Sequence, residues 1–129
     1  MDALDILIAE DDHVLQEVYQ KKFSLVGHHI RIAKNGEEAL RAIAEKAPDI
    51  LILDLNMPVL DGFQVLEKLP REHRLFPVVA LTNFGDTASR DRGETLGIDD
   101  YFIKREMTMK QLIVMVEDSI QAWKKRKQG

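Results

Sequence analysis

Four apolar runs in this chain stop at side chains that could do chemistry. "LDILIA" (4–9) is followed by Glu10, Asp11 and Asp12, and "ILILDL" (50–55) contains Asp54 near its end. "FPVVALT" (76–82) ends in Thr82, and "IDDYFIK" (98–104) ends in Lys104. Carboxylates that converge repel: two bare charges about 4 Å apart cost roughly 4 kcal/mol at an effective dielectric of 20. A volume shared by Glu10, Asp11 and Asp54 therefore calls for bound protons or a cation. Hard oxygen donors at an open site suit Mg²⁺ or Mn²⁺. The Thr82 hydroxyl and the Lys104 ammonium suit phosphoryl oxygens, and Asp54 could act as a nucleophile. That is equipment for moving a phosphoryl group onto a carboxylate. Singly, each residue has a plainer reading. An Asp at a strand end is commonly a cap or turn residue, a Lys is solvated, and a Thr satisfies itself on the backbone. Their coincidence at successive strand ends favours the chemical reading.

Those ends meet only if the runs are strands of one sheet. Runs 4–9, 50–55 and 76–82 are apolar on both faces, as in a parallel sheet covered by helices, and "HHIRIA" (28–33) reads as a weaker fifth strand. Between them the period becomes helical. In "DHVLQEVYQKKFSLVG", Leu15, Tyr19, Phe23 and Val26 share a face, flanked by Val14, Val18 and Leu25, and Gly27 ends it. "NGEEALRAIAEKAP" opens with Asn35 and Glu38 in a capping-box pattern and stops at Pro48. A short helix is predicted over 63–69. Thr108 and Gln111 open a last helix whose stripe is Leu112, Ile113, Val116, Ile120 and Trp123, with Met and Trp read as core filling. The stretch "DTASRDRGETLG" (86–97) stands where a helix is due, yet it is nearly all polar, so that helix is predicted to be the least stable. Five β–α units imply an α/β fold, a doubly wound parallel sheet in the order 2-1-3-4-5, with its ligand site at the carboxyl ends of the strands.

Composition narrows the class. A chain of 129 residues suits one domain, and 45% hydrophobic with 31% charged residues is ordinary for a soluble globular protein. No apolar run approaches the length of a membrane helix, so no membrane insertion is expected. The acidic start "MDALDILIAED" lacks a basic secretory signal, which favours the cytoplasm. Cysteine is absent, which removes disulfide and thiolate chemistry. A net charge of −4 makes a nucleic-acid partner an unfavoured expectation. The basic "KKRK" at 124–127 reads as a solvated helix end that complements the macrodipole, with an anionic contact as its alternative. Histidines 13, 28, 29 and 73 show no ligand spacing, and on a strand His28 and His29 point to opposite faces.

The runs "ILIAEDD", "ILDLNMPVLDG", "VVALT" and "DDYFIK" together resemble two-component response-regulator receiver domains over essentially the whole chain, 1–129. The resemblance implies a flavodoxin-like (βα)5 fold, as in chemotaxis regulators, and a phosphoprotein of phosphorelay signalling. Asp54 is implied as phosphoacceptor and Asp11 as direct metal ligand. Glu10 would act on the metal through water, and the Asn56 backbone carbonyl and Asp54 would complete its protein ligands. Thr82 and Lys104 would hold phosphoryl oxygens, and Tyr101 would be the aromatic switch partner of Thr82. Pro58 and Gly62 would shape the loop after Asp54, and Asp12 would be a helix cap. The implied phosphodonor is a histidine kinase or histidine phosphotransfer protein, and the implied readout is an altered surface on the last helices. Three departures stand out. Arg105 replaces the usual Pro after the lysine, so a trans Lys104–Arg105 peptide is predicted. Asn83 replaces a small residue beside Thr82 and is expected to narrow access to Asp54. The interval from Asp54 to Thr82 is short, which predicts a trimmed third helix.

Other classes fit less well. A metal-dependent phosphohydrolase would want an acid two residues after its nucleophile, where this chain has Asn56. A flavin module would need a phosphate-binding loop after the first strand, and "EDDH" would repel phosphate. A degenerate receiver serving only as an interaction module stays open. The expectation is a stand-alone receiver, not a turnover enzyme, whose output runs through Thr82, Phe84, Tyr101 and the polar helix.

Overall fold

The strands are short because each is a dense apolar run bounded by polar turns. The computed structural model describes residues 2–83 and 87–128. In chain order it has β1 (Asp5–Ala9), α1 (His13–Leu25), β2 (His29–Ala33), α2 (Gly36–Glu45), β3 (Ile50–Asp54) and α3 (Gly62–Glu67). A 3₁₀ turn (Arg71–His73) then leads to β4 (Val78–Thr82), α4 (Thr87–Thr95), β5 (Asp100–Ile103) and α5 (Met109–Gln128). All described strand pairs are parallel, in the order β2-β1-β3-β4-β5. The α/β reading and its strand order hold.

Alternation along the central strands makes two cores. Ile50 and Ile52 of β3 face α1 and α5, where Tyr19, Phe23, Leu112 and Val116 are buried. Leu51 and Leu53 face the other way, onto Ala39, Val65 and Leu66. Every residue of β3 and β4 is buried, so both faces must be apolar. Removing one such Leu would cost about 2–5 kcal/mol.

The helices start where cap chemistry puts them. Asp12 Oδ1 accepts from Leu15 N at 3.0 Å, as expected of a cap. Asn35 Oδ1 accepts from Glu38 N at 2.9 Å, while Glu38 reaches back one residue further than predicted, to Lys34 N at 3.0 Å. Thr108 and Gln111 form their box, at 3.2 and 2.7 Å. The third helix is indeed trimmed, and it carries a box that had not been foreseen, between Asp61 and Gln64.

Some boundaries and faces differ. Strand ends draw in by one or two residues relative to the apolar runs, because the ladder stops before the hydrophobicity does. On α1, Val14, Leu25 and Val26 are exposed and Gln16 is buried, so the predicted stripe reaches the core only through Tyr19 and Phe23, with Leu15 half-buried. Trp123 is not core filling either. It is half-buried, with Lys127 Nζ 4.6 Å and the Arg126 guanidinium 5.5 Å from its ring. Arg126 also pairs with Asp99 at 2.7 Å, so the basic cluster is partly tied to the fold. His28 is buried and His29 exposed, as strand geometry required. α5 starts beyond the carboxyl end of β5 and runs back to the opposite edge of the sheet, about 30 Å for its 20 residues. No described helix is long and apolar enough to cross a membrane.

Candidate functional site

Strand ends, as the sequence required, deliver the site. β1 ends at Ala9, so Glu10 and Asp11 follow at the carboxyl edge, and β3 beside it ends in Asp54. Carboxylate oxygens of Glu10, Asp11 and Asp54 all lie within 4.8 Å of one another. Glu10 and Asp54 are 1% and 3% exposed, whereas Asp11 is open to solvent. β5 ends at Ile103, and the next residue, Lys104, reaches back across the rim. Its Nζ sits 2.7 Å from Glu10 Oε1 and 3.0 Å from Asp54 Oδ2. Asp54 Oδ1 accepts from Asn56 N at 2.9 Å, closing a turn that fixes the carboxylate plane. Thr82 is buried at the end of β4, and its carbonyl accepts from Lys104 N at 2.8 Å.

Electrostatics follow from this crowding. Burial, aided by the neighbouring Asp54, pushes the Glu10 carboxyl up to about 7, against the opposing pull of Lys104. Burial alone would lower the Lys104 pKa, but its bonds to Glu10 and Asp54 reverse that and raise it. The Tyr19 hydroxyl beneath the site is pushed up by burial and then by Glu10, Asp54 and Asp12. With all three acids ionised, one ammonium leaves two negative charges uncompensated. A divalent ion supplies what is missing, and the donors are all hard oxygens, so the residues present fit Mg²⁺.

The loop after β3 is built for close approach. A Cβ on Gly62 would lie 2.7 Å from the Asp54 carbonyl oxygen and 2.8 Å from Leu55 Cα, so only glycine fits. Leu60 N donates to Pro58 O at 2.9 Å across Val59, whose φ is +70°. This is a tight γ-turn with a β-branched residue in the left-handed region, and Val59 is 66% exposed.

Tyr101 lies on β5, half-buried under α4. Its hydroxyl donates to Arg90 O at 3.0 Å, and the Arg90 guanidinium stands 5.3 Å from the ring. Gly93 makes room: a Cβ there would collide with the Tyr101 hydroxyl oxygen. Asn83 is exposed and the Lys104–Arg105 peptide is trans, as predicted. Phe84 and Asp86, named for the output route, lie outside the described residues.

The structure thus gathers Glu10, Asp11, Asp54, Thr82 and Lys104 along one sheet edge, with Asn56 in the adjoining turn and Tyr101 in the next layer. Sequence reasoning missed Gln16, whose buried side-chain amide donates to the Glu10 carbonyl at 2.6 Å and steadies the β1–α1 turn. Its only signal was a position four residues beyond Asp12, on what reads as a polar face.

A family model described as "Response regulator receiver domain" matches residues 6–117. The chain belongs to that family. Among relatives, this receiver is 36% identical over 99 residues to a "Probable transcriptional regulator ycf27" of Guillardia theta, covering 77% of this chain and 39% of that protein. It is 32% identical to "Transcriptional regulatory protein AfsQ1" of Streptomyces coelicolor, covering 77% and 44%. The receiver therefore spans about two fifths of the length of the curated relatives it matches. Among solved structures, the Francisella response regulator 1452 receiver domain is similar, with a TM-score of 0.84 and 29% identity, covering 92% of this chain and 98% of that one. Chemotaxis protein CheY4 of Vibrio cholerae shares the fold, with a TM-score of 0.83 at 21% identity, covering 92% and 99%.

Proposed function

We propose that residues 1–129 act as a phosphoacceptor receiver, with Asp54 taking its phosphoryl group from the phosphohistidine of a histidine kinase or phosphotransfer protein. The observation that supports this best is the Lys104 ammonium bridging Glu10 and Asp54 at the carboxyl edge, where three acids converge. An Asp54 carboxylate oxygen forms the new P–O bond, the N–P bond of the donor breaks, and the imidazole leaves with the electron pair. Mg²⁺, or Mn²⁺, would be held by Asp11, Asp54 and the Asn56 carbonyl, with Glu10 acting through water. The metal supplies charge neutralisation at the transferring group. Lys104 trades its carboxylate contacts for phosphoryl oxygen, and the Thr82 hydroxyl donates to another. Each molecule accepts one group and does not turn over substrate. The absence of a membrane-crossing helix among the described residues is compatible with action in the cytoplasm. The relatives carry the name of transcriptional regulators, so the unfavoured nucleic-acid partner becomes an outcome to test at the level of the whole protein.

Incubation with acetyl phosphate and Mg²⁺ should add one phosphoryl mass, and Asp54→Asn should abolish it. Asp11→Ala should weaken metal binding strongly, and Asp12→Ala little, because Asp12 is a cap. A full phosphoryl signal in Asp54→Asn, or one indifferent to EDTA, would sink the reading. No modification of the wild type would leave an interaction module.

A further inference from the structure

Arg74 is the least expected buried residue outside the site. It follows the 3₁₀ turn, is 4% exposed, and has no described carboxylate within ion-pairing distance. Its guanidinium instead serves three main-chain oxygens. Nε and Nη2 donate to Leu69 O at 3.2 and 2.8 Å, Nη2 to Leu96 O at 2.8 Å, and Nη1 to Gly97 O at 2.8 Å. Leu69 lies just beyond α3, and Leu96 and Gly97 just beyond α4. One cation therefore satisfies carbonyls at the C-terminal ends of two helices, where partial negative charge gathers. Taking it away would strand several buried acceptors at once.

A second set of bonds secures the same end of α4. Leu96, Gly97 and Ile98 donate back to Arg92, Glu94 and Gly93 carbonyls. Asp99 N donates to Val78 O at 2.9 Å, Val78 N donates to Asp99 Oδ2 at 2.8 Å, and Arg126 holds Asp99 Oδ1 at 2.7 Å. Further along the helix, the Tyr101 hydroxyl donates to Arg90 O at 3.0 Å and the Arg92 guanidinium stands 4.3 Å from the Phe63 ring. Arg92 meets Glu67 at 3.0 Å with both side chains about half exposed (52% and 54%), and an exposed pair of this kind contributes little.

We propose that Arg74 is a positioning residue that fixes the C-terminal end of α4, so that the helix moves as a lever about Leu96–Gly97 and is displaced most at its other end. The inference rests on the phosphoacceptor reading of Asp54, since the displacement would begin at Thr82, upstream of the helix. A helix of nine residues is about 13 Å long, so a small rotation at the pinned end becomes a larger shift near Thr87.

The test is amide-resolved hydrogen exchange by NMR on the full chain, with Mg²⁺ alone and with Mg²⁺ plus beryllofluoride as the phosphoryl mimic. Occupancy is read from the bound ¹⁹F resonance. Exchange at residues 91 to 93 should change by about tenfold while Leu96, Gly97 and Ile98 change by less than about twofold. In Arg74→Met the change should spread through 96–98, and Arg74→Lys, which keeps the cation but only three donors on one nitrogen, should restore part of the contrast. A uniform change along the wild-type helix would overturn the proposal, as would an Arg74→Met protein with the wild-type pattern. If Arg74→Met does not fold, the wild-type profile decides alone. If no bound ¹⁹F resonance appears, it is the phosphoacceptor reading that fails. The lever is then decided in the unmodified protein, where Arg74→Met or Arg74→Gln must cost residues 96–98 about tenfold more protection than 91–93, and an equal loss overturns it.

Discussion

At Glu10 the fold holds a carboxyl whose proton is favoured by burial, with a pKa raised from 4.5 to about 7. The folded chain thus binds this proton more tightly than the unfolded chain does. Its contribution to stability is complete below about 4.5 and is lost as pH rises through about 7. In EDTA, Glu10→Gln should therefore melt progressively higher than wild type as pH climbs through that window, and a pH-independent difference would refute the assignment. Lys104 is the other half of this balance. Lys104→Met leaves Glu10 and Asp54 buried without their ammonium, a loss of about 3–5 kcal/mol for a broken buried pair. Mg²⁺ should raise the melting temperature of this variant more than that of wild type, because the ion replaces the missing charge; equal shifts would argue against a shared site. The sequence made Asp54, Asp11 and Lys104 legible because each stands at the end of an apolar run, where type and position coincide. Gln16 and Arg74 were not legible. Their partners are main-chain oxygens, and nothing in a polar side chain's neighbours in sequence announces which carbonyl it will find in space.

Among the elements, caps and buried strands were the readable parts. Asp12, Asn35 and Thr108 act through groups three residues away, so local sequence contains the whole interaction. The faces of α1 were misjudged for the complementary reason. Helical spacing gives a stripe, but the sheet covers only part of it, leaving Val14, Leu25 and Val26 in water. The loop after β3 was read for Pro58 and Gly62, while the strain falls between them, at Val59 with φ +70°. A left-handed conformation costs an L-residue roughly 1–2 kcal/mol, and glycine adopts it freely. Val59→Gly should therefore stabilise the chain by about 1 kcal/mol in urea unfolding, less the added entropy of the unfolded glycine. A destabilised variant would mean that neighbouring contacts, not strain, govern this turn. The polar α4 forms where a helix was due, and Arg74 holds the carbonyls at its C-terminal end.

For the whole molecule, sheet order and the two-sided core followed from five alternating units, and the comparison structures share that arrangement. What lay beyond sequence patterning was how the two sheet edges differ. α5 begins beside the acidic rim and carries Lys124, Lys125, Arg126 and Lys127 to the far edge, about 30 Å away. Two charged poles, an acidic one at Asp54 and a basic one at the end of the last helix, thus lie toward opposite edges of the sheet. Near physiological salt the Debye length is about 8 Å, so neither pole feels the other's field. A phosphoryl group adding about −1.5 to −2 charges at one pole is invisible by Coulomb forces alone at the opposite one. A partner seated on the basic pole can sense phosphorylation only through the covalent frame. Its discrimination between the two forms should then be unchanged from about 0.1 to 1 M salt, even as its affinity falls. Near 0.01 M, where the Debye length reaches about 30 Å, the poles couple and a purely electrostatic second channel opens between them.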